Sequence, residues 1–203
     1  EVALDFAFEL EKKYLAEGKD KCLTLLISGH SGDEQADYKK FLNDYYDNLM
    51  SKNPKSNVVL IFGEHRILSH RDIIVDKKYY NFYEIPAVVA AHGGMGTYFS
   101  DVEGFGNNLL EMISFGVPVV INKYDIYKTD IEHLGFSFPA IEDCQLNNEV
   151  IEESYQLLNN YAKRNEVTKH NLEVLEQKLD HNIIAEKLRP LISKMFTRIL
   201  NLE

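Results

Sequence analysis

The sequence predicts an α/β fold, a doubly wound parallel sheet with a helical tail. Three observations predict it. Continuous apolar runs at residues 22–27, 58–62 and 117–121 have the length and character of strands buried on both faces. Between and around them, apolar residues recur every three to four positions, the period of an amphipathic helix. Strands that alternate with helices require crossover connections, which are right-handed and give parallel pairing.

Residues 2–17 read as a helix, with Ala3, Phe6, Ala7, Leu10 and Tyr14 on one face and Gly18 as its stop. Residues 22–27 form the first strand, followed by the loop Ser28-Gly-His-Ser-Gly-Asp. Gly29 and His30 lie at that strand end, either lining a cleft or forming a plain turn. Residues 34–51 read as a helix with Tyr38, Phe41, Leu42, Tyr45 and Leu49 on one face. The strand at 58–62 ends at Gly63. Residues 64–78 read as a loop or short helix. Residues 79–91 are ambiguous, because Pro86 limits any helix there.

Residues 96–122 form the central unit, GTYFSDVEGFGNNLLEMISFGVPVVIN. A short apolar run at 97–99 meets a polar break. Gly104, Gly106, Asn107 and Asn108 then lead into a helix over about 109–115, ended by Gly116, and the strand 117–121 follows. The turn thus sits at the carboxyl end of a strand and opens a helix, where free backbone N–H groups hold an anion. Asn107 or Asn108 would serve as N-cap. Two acids frame the turn, Glu103 in the loop and Glu111 about one turn into the helix, so both can face one crevice. A phosphate on the helix N-terminus flanked by acceptors for sugar hydroxyls is what a nucleotide-sugar requires.

After this unit come a loop at 122–135 and a short strand near 136–138. Helices follow at 147–161, 166–179 and 182–201, with Pro190 expected to kink or restart the last. The partition expected is one domain over 1–180 and a C-terminal helix over 181–203. The stripe Ile184, Leu188, Leu191, Met195 and Ile199 would pack that helix on this domain or on an N-terminal partner.

The chain has 203 residues and a net charge of −10. That charge opposes general binding to nucleic acid or anionic membranes. Cys22 and Cys144 fit no disulfide framework or zinc spacing, so a reducing cytosol is expected. No apolar run reaches the ~18 residues of a membrane span. No His-x-x-x-His or Asp-x-Asp pattern near the turn suggests a metal, and no cofactor is expected. The sequence enters a helical pattern at Glu1 without an initiator Met, which predicts a piece of a longer protein.

Glu-Gly-Phe-Gly-Asn at 103–107, Leu-Leu-Glu at 109–111, Gly-Val-Pro-Val-Val at 116–120 and Asn-Lys-Tyr at 122–124 resemble the signature of retaining family-four glycosyltransferases. Thr-Tyr-Phe-Ser at 97–100 matches the strand leading into their acidic pair, where Pro is common in place of Phe99. The resemblance follows most of residues 1–180 in element order, while its specific motif is confined to about 97–124. It implies the donor-binding C-terminal half of a GT-B fold of two Rossmann-like domains. The parent would transfer a hexose from a nucleoside diphosphate sugar to an acceptor, with retention. It would need an N-terminal acceptor-binding domain and a basic pair upstream of this chain.

By the same resemblance Glu103 would contact the transferred sugar as the catalytic carboxylate and Glu111 the ribose hydroxyls. Gly104, Phe105, Gly106, Asn107 and Asn108 would offer backbone N–H groups to the diphosphate. Gly63, Glu64 and His65 would border the nucleobase, and Gly29 the cleft. Tyr124, Asp125 and Tyr127 would face sugar or acceptor, or form a surface loop. The bland reading makes the acids solvated charges and the 64–71 loop a solvated, slightly basic one.

Rivals are fewer. A dinucleotide fingerprint would need a third glycine where Leu109 stands. His92-Gly-Gly-Met-Gly-Thr resembles the signature of another glycosyltransferase group, but the alignment of 97–100 puts His92 before a strand, so it reads as structural. The sequence alone gives no physical reason for the glycines at 93, 94 and 96. An epimerase of the same fold or a non-catalytic nucleotide-binding module remains the alternative function.

Overall fold

The computed structural model describes residues 1–28, 36–68 and 79–200. Helix α1 spans Val2–Ala16, β1 Thr24–Ile27, α2 Ala36–Lys52 and β2 Val59–Phe62. A 3-10 turn at Gly63–His65 leads to β3, Ile67–Leu68, which pairs with β4, Tyr80–Asn81. Then come α3 at Ile85–Ala91, β5 at Gly96–Tyr98, α4 at Asn107–Ser114 and β6 at Val119–Asn122. A π turn at Tyr127–Ile131 and a 3-10 turn at Glu132–Leu134 precede β7, Ala140–Ile141. Helices α5 (Asn148–Asn159), α6 (Tyr161–Lys178) and α7 (His181–Leu200) close the chain.

Every strand pair among the described residues is parallel. β1 pairs with β2 across α2, and β5 pairs with β6 across α4, so each is a strand–helix–strand unit. β6 lies between β5 and β7 and is buried along its whole length. Its alternation divides two cores. Val120 joins Phe6, Leu10 and Tyr14 of α1 with Val150, Ile151 and Tyr155 of α5. Val119 and Ile121 join Leu109 and Ile113 of α4 with Tyr124, Tyr127 and Ile131. Helices therefore cover both faces, as a continuous apolar strand predicts. Each fully buried Val or Ile contributes about 1.5–3 kcal/mol, so β6 fixes the frame on which the preceding turn rests.

Several boundaries differ from expectation, each for a local reason. Pro86 starts α3 instead of limiting it, because its missing N–H falls in the first turn, where no intrahelical partner exists. The strand near 136–138 lies at Ala140–Ile141. Asn171 of α6 occupies the expected strand by bonding both backbone groups of Ser137, accepting from its N–H at 2.7 Å and donating to its oxygen at 2.9 Å. Asn160 accepts from the Lys163 amide at 3.1 Å and so caps α6, splitting the tail five residues before the sequence suggested. α7 continues through Pro190 without restarting.

The glycines at 93, 94 and 96 now have a cause. Gly93, with φ +69°, ends α3 in a left-handed cap. Its amide donates to Ala90 and that of Gly94 to Val89, which closes the helix. A Cβ on Gly94 would crowd Val89, and one on Gly96 would collide with the Met112 sulfur of α4. Arg164 of α6 then clamps the turn, donating to the Gly93 and Gly94 oxygens at 3.0 and 2.7 Å.

Candidate functional site

The turn between β5 and α4 lies at the carboxyl end of the strands, where open parallel sheets bind ligands. Its defining residue is Gly106. With φ +86° it is the N-cap of α4, in a left-handed conformation that glycine adopts without strain. Asn107 and Asn108 are therefore the first helical residues and neither caps the helix, contrary to expectation. Among the described residues, no carbonyl accepts from their amides, which point out of the helix start as an anion requires. Gly104 differs from Gly106. A Cβ there would meet nothing within 4 Å, so no protein contact demands a glycine. Phe105 between them is 40 % exposed.

Glu103 and Glu111 line one cavity of about 1160 Å³, as their spacing predicted. It is bounded by β1, β5, α1, α3 and the start of α4, and no pairing joins β1 to β5 among the described residues. The two acids are held differently. Glu103 is half-buried and tied to its own loop, accepting from the Gly104 amide at 3.0 Å and the Ser100 hydroxyl at 3.5 Å. Glu111 is half-buried with no hydrogen bond or ion pair to its carboxylate among the described residues. Its two oxygens are free to accept from a diol.

Below the turn lie Tyr98 and Asn122, whose part here sequence reasoning missed, and Tyr124, which it had placed facing sugar or acceptor or in a surface loop. The Tyr98 and Tyr124 hydroxyls both point at Gly106. A Cβ there would collide with the Tyr124 oxygen and lie 3.5 Å from the Tyr98 oxygen. Burial, then hydrogen bonding to Glu103, pushes the Tyr98 phenol well above the usual range. Burial and the nearby Glu103 charge push Tyr124 up to about 12. The Tyr124 hydroxyl is buried without a partner among the described residues. Asn122, 1 % exposed, donates to the Ser100 oxygen and accepts from the Cys144 amide, both at 3.0 Å. It thereby ties the Glu103 loop to the strained pair Asp143 and Cys144, whose φ values are 51° and 55°. The available signals were a tyrosine within one apolar run and an asparagine directly after the next.

The other expected residues are dispersed. Gly63 is buried at the end of β2, where a Cβ would collide with Ile67 and sit 3.3 Å from the Ile27 oxygen, so its size serves packing. Glu64 follows it and pairs with Lys39 of α2, whose ammonium lies 5.0 Å from the Phe62 ring centre. His65 ends the same 3-10 turn. Gly29 and His30, with residues 69–71 of the basic loop, lie outside the described residues. His92 caps α3 at the start of β5, the opposite end from Glu103, with Nδ1 2.9 Å from the Val88 oxygen. Tyr124 and Tyr127 are buried, at 2 % and 4 %, and are not a surface loop, while Asp125 is exposed. Among the described residues, no three His, Cys, Asp or Glu side chains are grouped to hold a metal, and no helix is long and apolar enough to cross a membrane.

The chain is similar to two proteins named mannosylglucosylglycerate synthase. One, from Thermotoga maritima, is 31 % identical over 110 residues, which is 48 % of this chain and 25 % of that protein. The other, from Petrotoga mobilis, is 30 % identical over 152 residues, 70 % of this chain and 32 % of that protein. The chain thus spans a third or less of the curated relatives it matches. No family model matches it, and no solved structure does. The relatives are glycosyltransferases, and the similarity supports glycosyl transfer in the broad sense.

Proposed function

We propose that this chain is the donor-binding domain of a retaining glycosyltransferase of GT-B architecture, and that the whole enzyme transfers a hexose from a nucleoside diphosphate sugar to an acceptor. The observation that carries the reading is the pairing of Glu103 and Glu111 on one cavity, either side of a left-handed glycine that opens α4 at the carboxyl end of β5. The diphosphate would lie on the amides of Phe105 to Asn108, since the Gly104 amide is taken by Glu103. The helix terminus contributes about 0.3–1 kcal/mol, up to about 2 when partly buried, so several contacts must act together. Glu111 would accept from the ribose hydroxyls and Glu103 from those of the sugar. The relatives' name contains mannosyl and glucosyl units on glycerate and supports a hexose donor with a small polar acceptor. It favours transfer over epimerisation. Acceptor contacts would come from a further domain, so this chain alone would bind donor and transfer nothing.

A thermal-shift screen of nucleoside diphosphates tests the reading first. A ligand at about 100 times its Kd adds ~2.7 kcal/mol, a rise of about 5–10 °C for a chain this long. Calorimetry of Glu111→Gln follows. Losing one charged acceptor should weaken the ribonucleotide by 10–30-fold, roughly 1.5–2 kcal/mol, with little change in folding stability. A 2′-deoxy ligand should lose most of its penalty in the variant. Equal discrimination between ribose and deoxyribose by both proteins would remove Glu111 from the site.

A further inference from the structure

A hydroxyl buried without a partner is retained at the cost of its desolvation, and phenylalanine would fill the same space without it. Tyr124 carries such a hydroxyl, and it lies directly beneath the Gly106 turn. Tyr98 approaches the same point from β5, its ring centre 5.9 Å from that of Tyr124. Tyr98 is 8 % exposed, yet it lines the cavity together with Glu103. A phenol donates one hydrogen bond while its oxygen can still accept. The two hydroxyls therefore meet under the turn that follows Glu103, and Tyr98 faces the cavity that Glu103 lines, close enough for that carboxylate to help raise its phenol. The two donors within hydrogen-bond geometry of that carboxylate, the Gly104 amide and the Ser100 hydroxyl, both belong to the loop that carries Glu103, so they move with it. Tyr98 instead sits on the β5–β6 frame.

We propose that Tyr98 is a positioning residue that fixes the Glu103 carboxylate for the hydroxyls of the transferred sugar, with Tyr124 supporting it from below. This rests on the donor-binding reading above and deepens it. Tyr98 then governs the sugar half of the ligand and not the nucleotide half, which is held by α4 and Glu111.

The test is calorimetric titration of this chain with uridine, guanosine and adenosine diphosphates and their glucose and mannose conjugates, reading the ratio of the two dissociation constants for each matched pair. In the wild type a conjugate binds more tightly than its diphosphate. Tyr98→Phe should lower that ratio by about tenfold and leave diphosphate affinity within about twofold. Glu103→Gln should lower the ratio too, and the double variant should lose little more than either alone. Tyr124→Phe should lower the ratio by about threefold, with melting temperature unchanged or raised by about 2–4 °C, because an unpaired hydroxyl is gone. If Tyr98→Phe does not fold, the ratio in Tyr124→Phe decides, and an unchanged value overturns the proposal. An unchanged ratio in Tyr98→Phe, equal weakening of diphosphate and conjugate, or a wild-type ratio of one also overturns it while leaving the nucleotide site intact. Absence of any diphosphate binding would sink the donor-binding reading, and this proposal with it.

Discussion

Gly106 carries two constraints that can be separated. The left-handed backbone penalises any L side chain by about 1–2 kcal/mol. The Tyr124 oxygen adds an overpacking term of about 1–3 kcal/mol. Gly106→Ala should therefore destabilise by about 3 kcal/mol in urea denaturation. Adding Tyr124→Phe should recover roughly half, since the oxygen goes and the backbone term stays. Additive effects would show that the Tyr124 hydroxyl does not press on the turn. Asn122 has a different role at the same scale. Asn122→Ala orphans the half-buried Cys144 amide and Ser100 oxygen, and should cost about 2–3 kcal/mol. A loss below about 1 kcal/mol would mean that water replaces both bonds. Of these residues only the glycines and the acids stood out in the sequence. Tyr124 was a candidate to face sugar or acceptor, but Tyr98 and Asn122 looked like ordinary strand residues, because nothing local says that separate segments converge beneath one turn.

At the scale of elements, β6 and α7 are opposites. β6 is buried on both faces, and its amides should exchange only through global or near-global opening. α7 exposes Leu188, Leu191, Ile192, Met195 and Phe196, at 46–63 %. Pro190 in its interior also removes one backbone donor. Hydrogen exchange over residues 188–196 should therefore be much faster than over 119–122 in this chain. Comparable protection would show that the stripe is covered in solution. The expected stripe was legible from its spacing. Whether it packs on this domain was not, because periodicity identifies a face and not its neighbour.

For the whole molecule, alkaline pH gives a test of the tyrosine cluster joining the site to the core. Burial first, then the Glu103 charge, raises Tyr124 to about 12. Burial first, then Glu132, raises Tyr127 to about 12. An unfolded phenol ionises near 10. Between these values the folded chain holds more protons than the unfolded one, so stability falls as pH rises. The contribution is fully present below pH 10 and disappears as pH climbs through about 12. Tyrosinate absorbance should accordingly appear together with loss of helical signal in that window. An unchanged alkaline transition in the Tyr124→Phe/Tyr127→Phe double variant would show that other groups drive it.

The sequence by itself determined the alternation of strand and helix, the doubly covered strand β6 and the placing of two acids around a glycine turn. Each of these is local, set by periodicity or by spacing of a few residues. Tertiary structure decided which glycine the turn requires, since Gly104 and Gly106 look alike until Tyr124 is brought beneath one of them. It also decided that residues 136–138 would not be a strand, because the side chain that replaces the ladder comes from α6. The cause of Gly96 and the clamp on Gly93 and Gly94 were not legible in the sequence, since Met112 and Arg164 lie 16 or more positions away. Local periodicity fixes which face of an element is apolar, whereas contacts between distant segments fix what that face, or a single hydroxyl, finally meets.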